Sequence, residues 1–179
     1  DLSHHERHGP FFEGTGRLVL DRPGCRAFGN LSRGTDPHVI ADFDDRLDYS
    51  TLLFEAHDRS GRPIYHTNVL LSLGSKFAVL CTEAVAEQDR RRLLETIEAT
   101  GRTLVEVDLE QLKRFACNVI ELESAAGQPV IAMSAAARES VGREFERFGE
   151  LVDAPIPTIE RVGGGSVRCM IAEIHLPRR

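Results

Sequence analysis

Four short segments of the sequence carry residue types that can perform nucleophilic catalysis. The four segments contain Glu13, His66, Asn118 and Cys169. Cys169 follows three glycines at 163–165 and the tripeptide Ser-Val-Arg. A thiol, an imidazole that deprotonates it and a carboxylate that orients the imidazole are the groups that this chemistry requires. Each residue taken alone is more often structural, because a free cysteine commonly serves as a small core residue. The catalytic interpretation therefore depends on elements that bring the four segments together.

Those segments follow an internal repeat of about fifty residues. Apolar runs begin at 17, 67, 117 and 167, and each of the first three leads through a turn to a second strand, a helix and a third strand. Apolar positions at helical spacing indicate the helices, and short apolar runs bounded by turn residues indicate the strands. The predicted elements are first strands at 17–20, 67–70, 117–120 and 167–170, second strands at 25–28, 77–80 and 129–132, helices over 36–47, 84–99 and 135–148, and third strands at 51–56, 103–107 and 151–152.

Repeated units bury their faces against their neighbours and place equivalent residues around a common axis. The N-terminal ends of the first strands are therefore expected to lie close together around this axis, at the opening of one shared site. Three complete units and the start of a fourth would leave an open sheet edge, which proteins usually cover. We therefore expect residues 1–179 to form a single catalytic domain that lacks its N-terminal unit.

Composition excludes several functional classes. The chain has 22 basic and 28 acidic residues and a formal net charge of −6, which disfavours binding to a nucleic-acid backbone. No apolar stretch is long enough to predict a membrane span. Four scattered cysteines without a CxxC pair favour the reducing cytoplasm. His4, His5 and His8 do not form the helical H-E-x-x-H zinc pattern, so neither a metal nor a cofactor is expected.

The segments at 13–16, 65–68 and 163–170 resemble those of the amidinotransferase and arginine deiminase superfamily, the penteins. Within it, the chain is most similar to the bacterial citrulline utilization hydrolases, an arginine deiminase-related group. The resemblance implies an α/β propeller of five ββαβ-type units around a central channel that holds the active site. About three and a half units are present here. In family members, a portion ahead of this segment supplies a further substrate-binding acid.

The resemblance also implies a catalytic role for three residues. Cys169 is the expected nucleophile, His66 the general base and acid, and Glu13 the carboxylate that holds the substrate head and the histidine. An unperturbed thiol, with a pKa of about 8.5, is mostly protonated at neutral pH. A protonated His66 nearby is therefore expected to favour the thiolate and make Cys169 the first of the four thiols to react with an alkylating reagent.

Asn68 departs from the arginine deiminase pattern, which has an acid two residues after the histidine. A carboxylate suits a cationic guanidinium, whereas an amide suits a neutral ureido group such as that of citrulline, or a guanidine bound differently. We predict a hydrolase of C–N bonds in ureido or guanidino amino acids. Amidino transfer at the same site and a non-catalytic pentein binding protein are the alternatives, and a homodimer stays open. The predicted substrate-binding residues are Asn68, Asn118 and Arg168.

Overall fold

The computed structural model describes residues 2–9, 11–13 and 16–173, so Gly14 and Thr15 of the motif after Glu13 lie outside the described residues. Three consecutive units share one order of elements: strand, strand, helix, strand. The elements are β1 (Leu18–Asp21), β2 (Arg26–Asn30), α1 (Pro37–Leu47), β3 (Ser50–Phe54), α2 (Thr67–Leu70), β4 (Leu71–Leu73), β5 (Phe77–Leu80), α3 (Glu87–Glu98), β6 (Thr103–Glu106), α4 (Leu109–Lys113), β7 (Ile120–Glu123), β8 (Pro129–Ser134), α5 (Ala135–Phe145), β9 (Glu150–Ala154) and α6 (Pro157–Gly163), with 3₁₀ turns at Ser3–His8, Thr82–Ala84 and Val167–Met170.

Each unit has its own three-stranded sheet, in the orders β1-β2-β3, β4-β5-β6 and β7-β8-β9. The first strand pairs antiparallel with the second, so that Val19 lies opposite Phe28, and the second pairs parallel with the third, so that Phe28 lies opposite Leu52. A helix makes the crossover that parallel pairing requires. Successive first strands are neighbours, since β1 contacts β4 and β4 contacts β7. The predicted ββαβ repeat with separate small sheets is therefore confirmed.

Helices α1 and α5 begin where the sequence predicts, whereas α3 begins at Glu87, three residues after the predicted start at 84, because Thr82–Ala84 forms a 3₁₀ turn. The Asp36 side chain accepts a hydrogen bond from the backbone N–H of His38 at 2.8 Å, and Pro37 occupies the first helical position of α1. Ser134 caps α5 in the same way by accepting from Ala137 at 3.2 Å. Side chains of this kind satisfy backbone donors that have no partner within the helix. Leu47, the last residue of α1, is exposed.

The predicted positions of three first strands are wrong. The run at 67–70 forms the helical turn α2, the run at 117–120 is a turn that reaches β7 only at its last residue, and the run at 167–170 is a 3₁₀ turn. All four residues of α2 are buried. The apolar runs therefore mark buried turns that lead into the strands. The periodicity of apolar residues alone cannot distinguish a short buried turn from a short buried strand.

One hydrophobic core runs through all three units. Every residue of β5 is fully buried, and the Phe77 ring contacts those of Phe145 and Phe148 at centroid distances of 5.0 and 5.2 Å. A buried ion pair adds a polar link between the first two units, because Arg102 reaches Asp21 at 2.8 Å.

Within the described ranges, no helix combines the length and apolarity needed to cross a membrane.

Candidate active site

Cys169 lies in the 3₁₀ turn that follows the glycine-rich segment. Its Sγ accepts a hydrogen bond from Asn118 Nδ2 at 3.2 Å and lies 3.7 Å from Asn68 Oδ1. Gly165 approaches this side chain closely, because a Cβ added at Gly165 would lie 3.2 Å from Cys169 Cβ and 3.3 Å from Sγ. The thiol is thus held by its neighbours while Cys169 remains exposed.

Asn118 is fully buried, and its amide is committed to protein atoms. Nδ2 donates to the Asn68 carbonyl at 2.9 Å as well as to Cys169 Sγ, and Oδ1 accepts from the backbone N–H of Arg168 at 3.1 Å. These bonds leave little capacity for a ligand. These contacts favour a role for Asn118 in positioning Cys169, and the substrate contact that the sequence predicted for it stays a prediction.

His66 stands directly before α2, and its Nε2 lies 3.4 Å from Oε2 of Glu13. The same carboxylate oxygen accepts from Nε of Arg17 at 3.0 Å. Arg17 is only 7% exposed, and its Nη1 also donates to Ser32 Oγ and to the Tyr65 carbonyl. Arg17 therefore ties Glu13 to the peptide that precedes His66. Sequence reasoning missed this role, although the position of Arg17 four residues after Glu13 was a usable signal.

Burial and the neighbouring charges together set the protonation state of His66. Burial lowers the pKa of His66, the Glu13 hydrogen bond partly opposes this effect, and the Arg17 charge lowers the pKa further. Hydrogen bonds from Arg17 and His66 lower the pKa of Glu13, which keeps its carboxylate ionised. At neutral pH His66 is therefore mostly neutral, and with its Nε2–H directed at Glu13 the basic atom is Nδ1. This state suits a base that removes the thiol proton more than a preformed imidazolium.

Two of the other three thiols are buried. Burial raises the pKa of Cys81 to about 11 and raises the pKa of Cys117 well above its usual value, so both are protonated at neutral pH. Cys25 is exposed, but it lies in the hairpin turn between β1 and β2. Of the two exposed thiols, Cys169 is thus the one that lies next to the segment containing His66.

A cleft of about 510 Å³ runs along the first strands of the units. Its volume falls within the range of small-molecule sites, roughly 300–1,000 Å³. His66, Asn68, Arg168 and Cys169 line it, while Glu13 stands behind His66. Gly16 lines it as well, with φ of +85°, and a Cβ there would lie 2.8 Å from His66 Nδ1. The fold therefore brings the predicted catalytic side chains together, and their roles remain predictions.

Tyr65 connects the segment that contains His66 to the segment that contains Cys169. Its hydroxyl donates to the carbonyl of Gly164, in the segment before Cys169, and its ring lies 4.7 Å from that of His66. Arg168, a predicted substrate-binding residue, lines the cleft but directs its Nη2 to Glu173 at 3.0 Å. Sequence reasoning missed the Tyr65 contact, because it joins residues 99 positions apart.

The arrangement of units and of the Cys-His cleft can now be compared with known proteins. The family model for N,N dimethylarginine dimethylhydrolase, eukaryotic, matches residues 1–176. The chain belongs to this family. It is thereby a member of the pentein superfamily, and no curated protein sequence matches it.

Solved structures support the same fold. They include ArgZ, an arginine dihydrolase from the ornithine–ammonia cycle in cyanobacteria (TM-score 0.70, 19% identity, 89% of this chain and 24% of that chain). They also include AgrE in complex with ornithine and NAD⁺ (TM-score 0.75, 18%, 94% and 23%). A third is SxtG, an amidinotransferase from Microseira wollei in the saxitoxin biosynthetic pathway (TM-score 0.61, 14%, 86% and 42%). At these identities the likeness shows the pentein fold, and the chain spans about a quarter of the length of ArgZ and AgrE.

Replacing Asn118 with Ala should make Cys169 harder to alkylate. A hydrogen bond to a charged group stabilises it by about 1.5–3 kcal/mol, so its loss should slow the reaction of Cys169 with iodoacetamide at pH 7 by about tenfold or more. The measurement uses a Cys25→Ser background, so that Cys169 is the exposed thiol. Asn68→Ala is the matched control, because Asn68 presents an acceptor oxygen to the sulfur and its loss should not slow this reaction. An unchanged alkylation profile in a folded Asn118→Ala variant would contradict the assigned role.

Proposed function

We propose that the protein hydrolyses a C–N bond in a ureido or guanidino amino acid through a covalent adduct on Cys169. The observation that carries this proposal is the position of the thiol. Cys169 is exposed, its Sγ is held by Asn118 Nδ2 at 3.2 Å, and it shares one cleft with His66. The family name, together with neighbours described as an arginine dihydrolase and an amidinotransferase, supports chemistry at an amidino group.

In the first half of the reaction, neutral His66 takes the proton of the Cys169 thiol at Nδ1. The resulting thiolate attacks the planar carbon of the substrate headgroup and forms an S–C bond. The C–N bond then breaks, and the departing nitrogen takes the proton from His66 and leaves as a neutral amine. A carbamoyl or amidino adduct remains on the sulfur. Asn118 Nδ2 stabilises the thiolate before the attack.

In the second half, His66 is neutral again and accepts a proton from a water molecule. The hydroxide adds to the carbon of the adduct and the S–C bond breaks. His66 returns its proton to the departing sulfur, which regenerates the Cys169 thiol and neutral His66. General acid–base help of this kind contributes about 10²–10⁴-fold. Glu13 accepts the hydrogen bond from Nε2–H of His66, which leaves Nδ1 as the atom that takes up and returns the proton in both halves of the cycle.

Asn68 supports a preference for a neutral, citrulline-like headgroup. Its amide lines the cleft beside Cys169, where it can offer one carbonyl acceptor and one NH₂ donor group. A ureido group offers the complementary carbonyl and N–H groups without a charge. A guanidinium is better neutralised by a carboxylate, and the Glu13 carboxylate is already engaged by Arg17 and His66. The expected partner is therefore a small ureido amino acid, with an arginine-like guanidino compound as the related candidate.

Amidino transfer is the second candidate function, because SxtG shares the fold and is described as an amidinotransferase. The two reactions share the adduct and differ only in what attacks it. Water gives hydrolysis, whereas a second amine gives transfer. A non-catalytic pentein that only binds ligands would form no adduct at all.

Mass spectrometry of the protein incubated with citrulline, arginine and N,N-dimethylarginine separates these functions. Hydrolysis predicts free amine product and a transient mass increase on the peptide that contains Cys169, with citrulline turned over fastest. Added glycine or ornithine tests transfer, since a new amidino compound would appear only then. A better rate with arginine or dimethylarginine would overturn the assigned role of Asn68. Absence of both adduct and product with every compound would overturn the hydrolase proposal.

A further inference from the structure

A second group of chemically active side chains lies outside the cleft. His4 and His5, in the 3₁₀ turn near the start of the chain, face Asp42 of α1. Nε2 of His4 lies 3.3 Å from Asp42 Oδ2, and Nε2 of His5 lies 3.0 Å from the same oxygen. All three potential ligand atoms lie within 4.8 Å of one another. The sequence predicted no metal at these histidines, because they do not form the H-E-x-x-H pattern. Asp42 stands 37 residues beyond His5, and only the fold shows that it lies near them.

We propose that His4, His5 and Asp42 bind a divalent transition-metal ion, with Zn²⁺ as the best-fitting ion. Zinc bonds to imidazole nitrogen and carboxylate oxygen are about 2.0–2.2 Å long, and zinc is usually tetrahedral. Two ligand atoms on such an ion lie roughly 3.3–3.5 Å apart by the geometry of the tetrahedron. The observed N–O distances of 3.0 and 3.3 Å are close to this separation. Small movements of exposed side chains would therefore admit the ion.

The donor set matches the chemistry of zinc. Two imidazoles and one carboxylate are a known ligand combination for zinc, with a water molecule in the fourth position. Arg46 donates its Nε–H to Asp42 Oδ1 at 2.5 Å and thereby leaves Oδ2 directed at the histidines. Hydrogen bonds of this kind orient metal-binding carboxylates.

An ion at this position would join the start of the chain to α1. The turn that carries His4 and His5 lies a few residues before Glu13, the carboxylate that holds His66. A ligand that binds only the folded state stabilises it by mass action. At a zinc concentration of 100 times the dissociation constant, the melting temperature should rise by about 5 °C or more.

Isothermal titration with Zn²⁺ tests the site in a Cys25→Ser, Cys169→Ser background, which removes the two exposed thiols as competing zinc ligands. We expect one ion per chain and the corresponding rise in melting temperature. His4→Asn and Asp42→Asn should each weaken zinc binding at least tenfold. His38→Ala is the matched control, because His38 is an exposed histidine of α1 that should not affect affinity.

Because His4 is half exposed, its replacement keeps the test valid even if Asp42→Asn is less stable. Circular dichroism without zinc verifies that each variant is folded. Visible absorption of the Co²⁺-substituted protein provides a second readout, since a tetrahedral site absorbs far more strongly than an octahedral one. Equal zinc affinity in the background, His4→Asn and His38→Ala proteins would show that the three side chains form only a hydrogen-bonded cluster and would overturn the proposal.

Discussion

Replacing Cys169 with Ala should lower kcat/KM by about 10⁴–10⁶-fold, because the variant cannot form the covalent adduct. No second thiol can substitute for it. Cys81 and Cys117 are fully buried, and burial raises the pKa of each, so neither provides a thiolate to the cleft at neutral pH. Cys25 is exposed, but it is not among the residues that line the cleft. The loss should therefore be nearly complete.

The measurement compares initial rates on the best substrate of the panel for the wild type, Cys169→Ala and Cys25→Ser. Cys25→Ser should retain at least half of the activity, which excludes a general effect of thiol removal. Substrate affinity, measured by calorimetry, should change less than threefold in Cys169→Ala, since the thiol contributes to the reaction rather than to ground-state binding. Retention of a tenth or more of wild-type activity in Cys169→Ala would refute covalent catalysis at this residue.

The repeat made much of this architecture predictable. Equal spacing of the apolar runs predicted separate ββαβ units. The predicted helices at 36–47 and 135–148 begin where Asp36 and Ser134 cap α1 and α5. The same spacing selected His66 and Cys169 as residues at equivalent ends of units, and both line the cleft. These features are readable because they depend on local periodicity and on side chains that bond to the adjacent backbone.

Features that depend on contacts between units were not predictable. The sequence shows Asn118 as a polar residue in an apolar run. Only the fold shows that its amide forms hydrogen bonds with Asn68, Arg168 and Cys169. Arg17 likewise acquires its role through the Tyr65 carbonyl, 48 residues away. The strand starts were misplaced because a buried turn and a buried strand produce the same short apolar run.

A chain of hydrogen bonds between residues about fifty positions apart positions Cys169. Thr67 Oγ1 donates to the Arg17 carbonyl, Asn118 Nδ2 donates to the Asn68 carbonyl and the Arg168 N–H donates to Asn118 Oδ1. Each contact joins one unit to the next at the same level of the repeat. Packing between units therefore sets the distance between His66 and Cys169, so substitutions at these contacts should affect catalysis as well as stability.

Replacing His66 with Gln should lower kcat by about 10²–10⁴-fold, the range that general acid–base catalysis supplies. Glutamine keeps a polar side chain of similar size but cannot take the thiol proton. The wild-type rate should fall as the pH decreases through the pKa of His66, because protonation removes the base. Burial lowers this pKa, so the midpoint should lie below the ordinary histidine value of about 6.5. The variant should lose this dependence on pH, whereas His38→Ala should retain both the rate and the midpoint.

Glu13→Gln tests the cause of that midpoint. The hydrogen bond and charge of Glu13 raise the pKa of His66, so their removal should lower the pKa further and move the acidic limb of the rate profile to lower pH. Arg17 acts in the same direction, because its positive charge would no longer be offset by the carboxylate that it now contacts. Rate profiles from pH 4 to 9 for the wild type, Glu13→Gln and His66→Gln measure the shift. A midpoint that stays in place or moves to higher pH in Glu13→Gln would show that Glu13 does not control the protonation of His66, and would leave burial and Arg17 as the groups that set it.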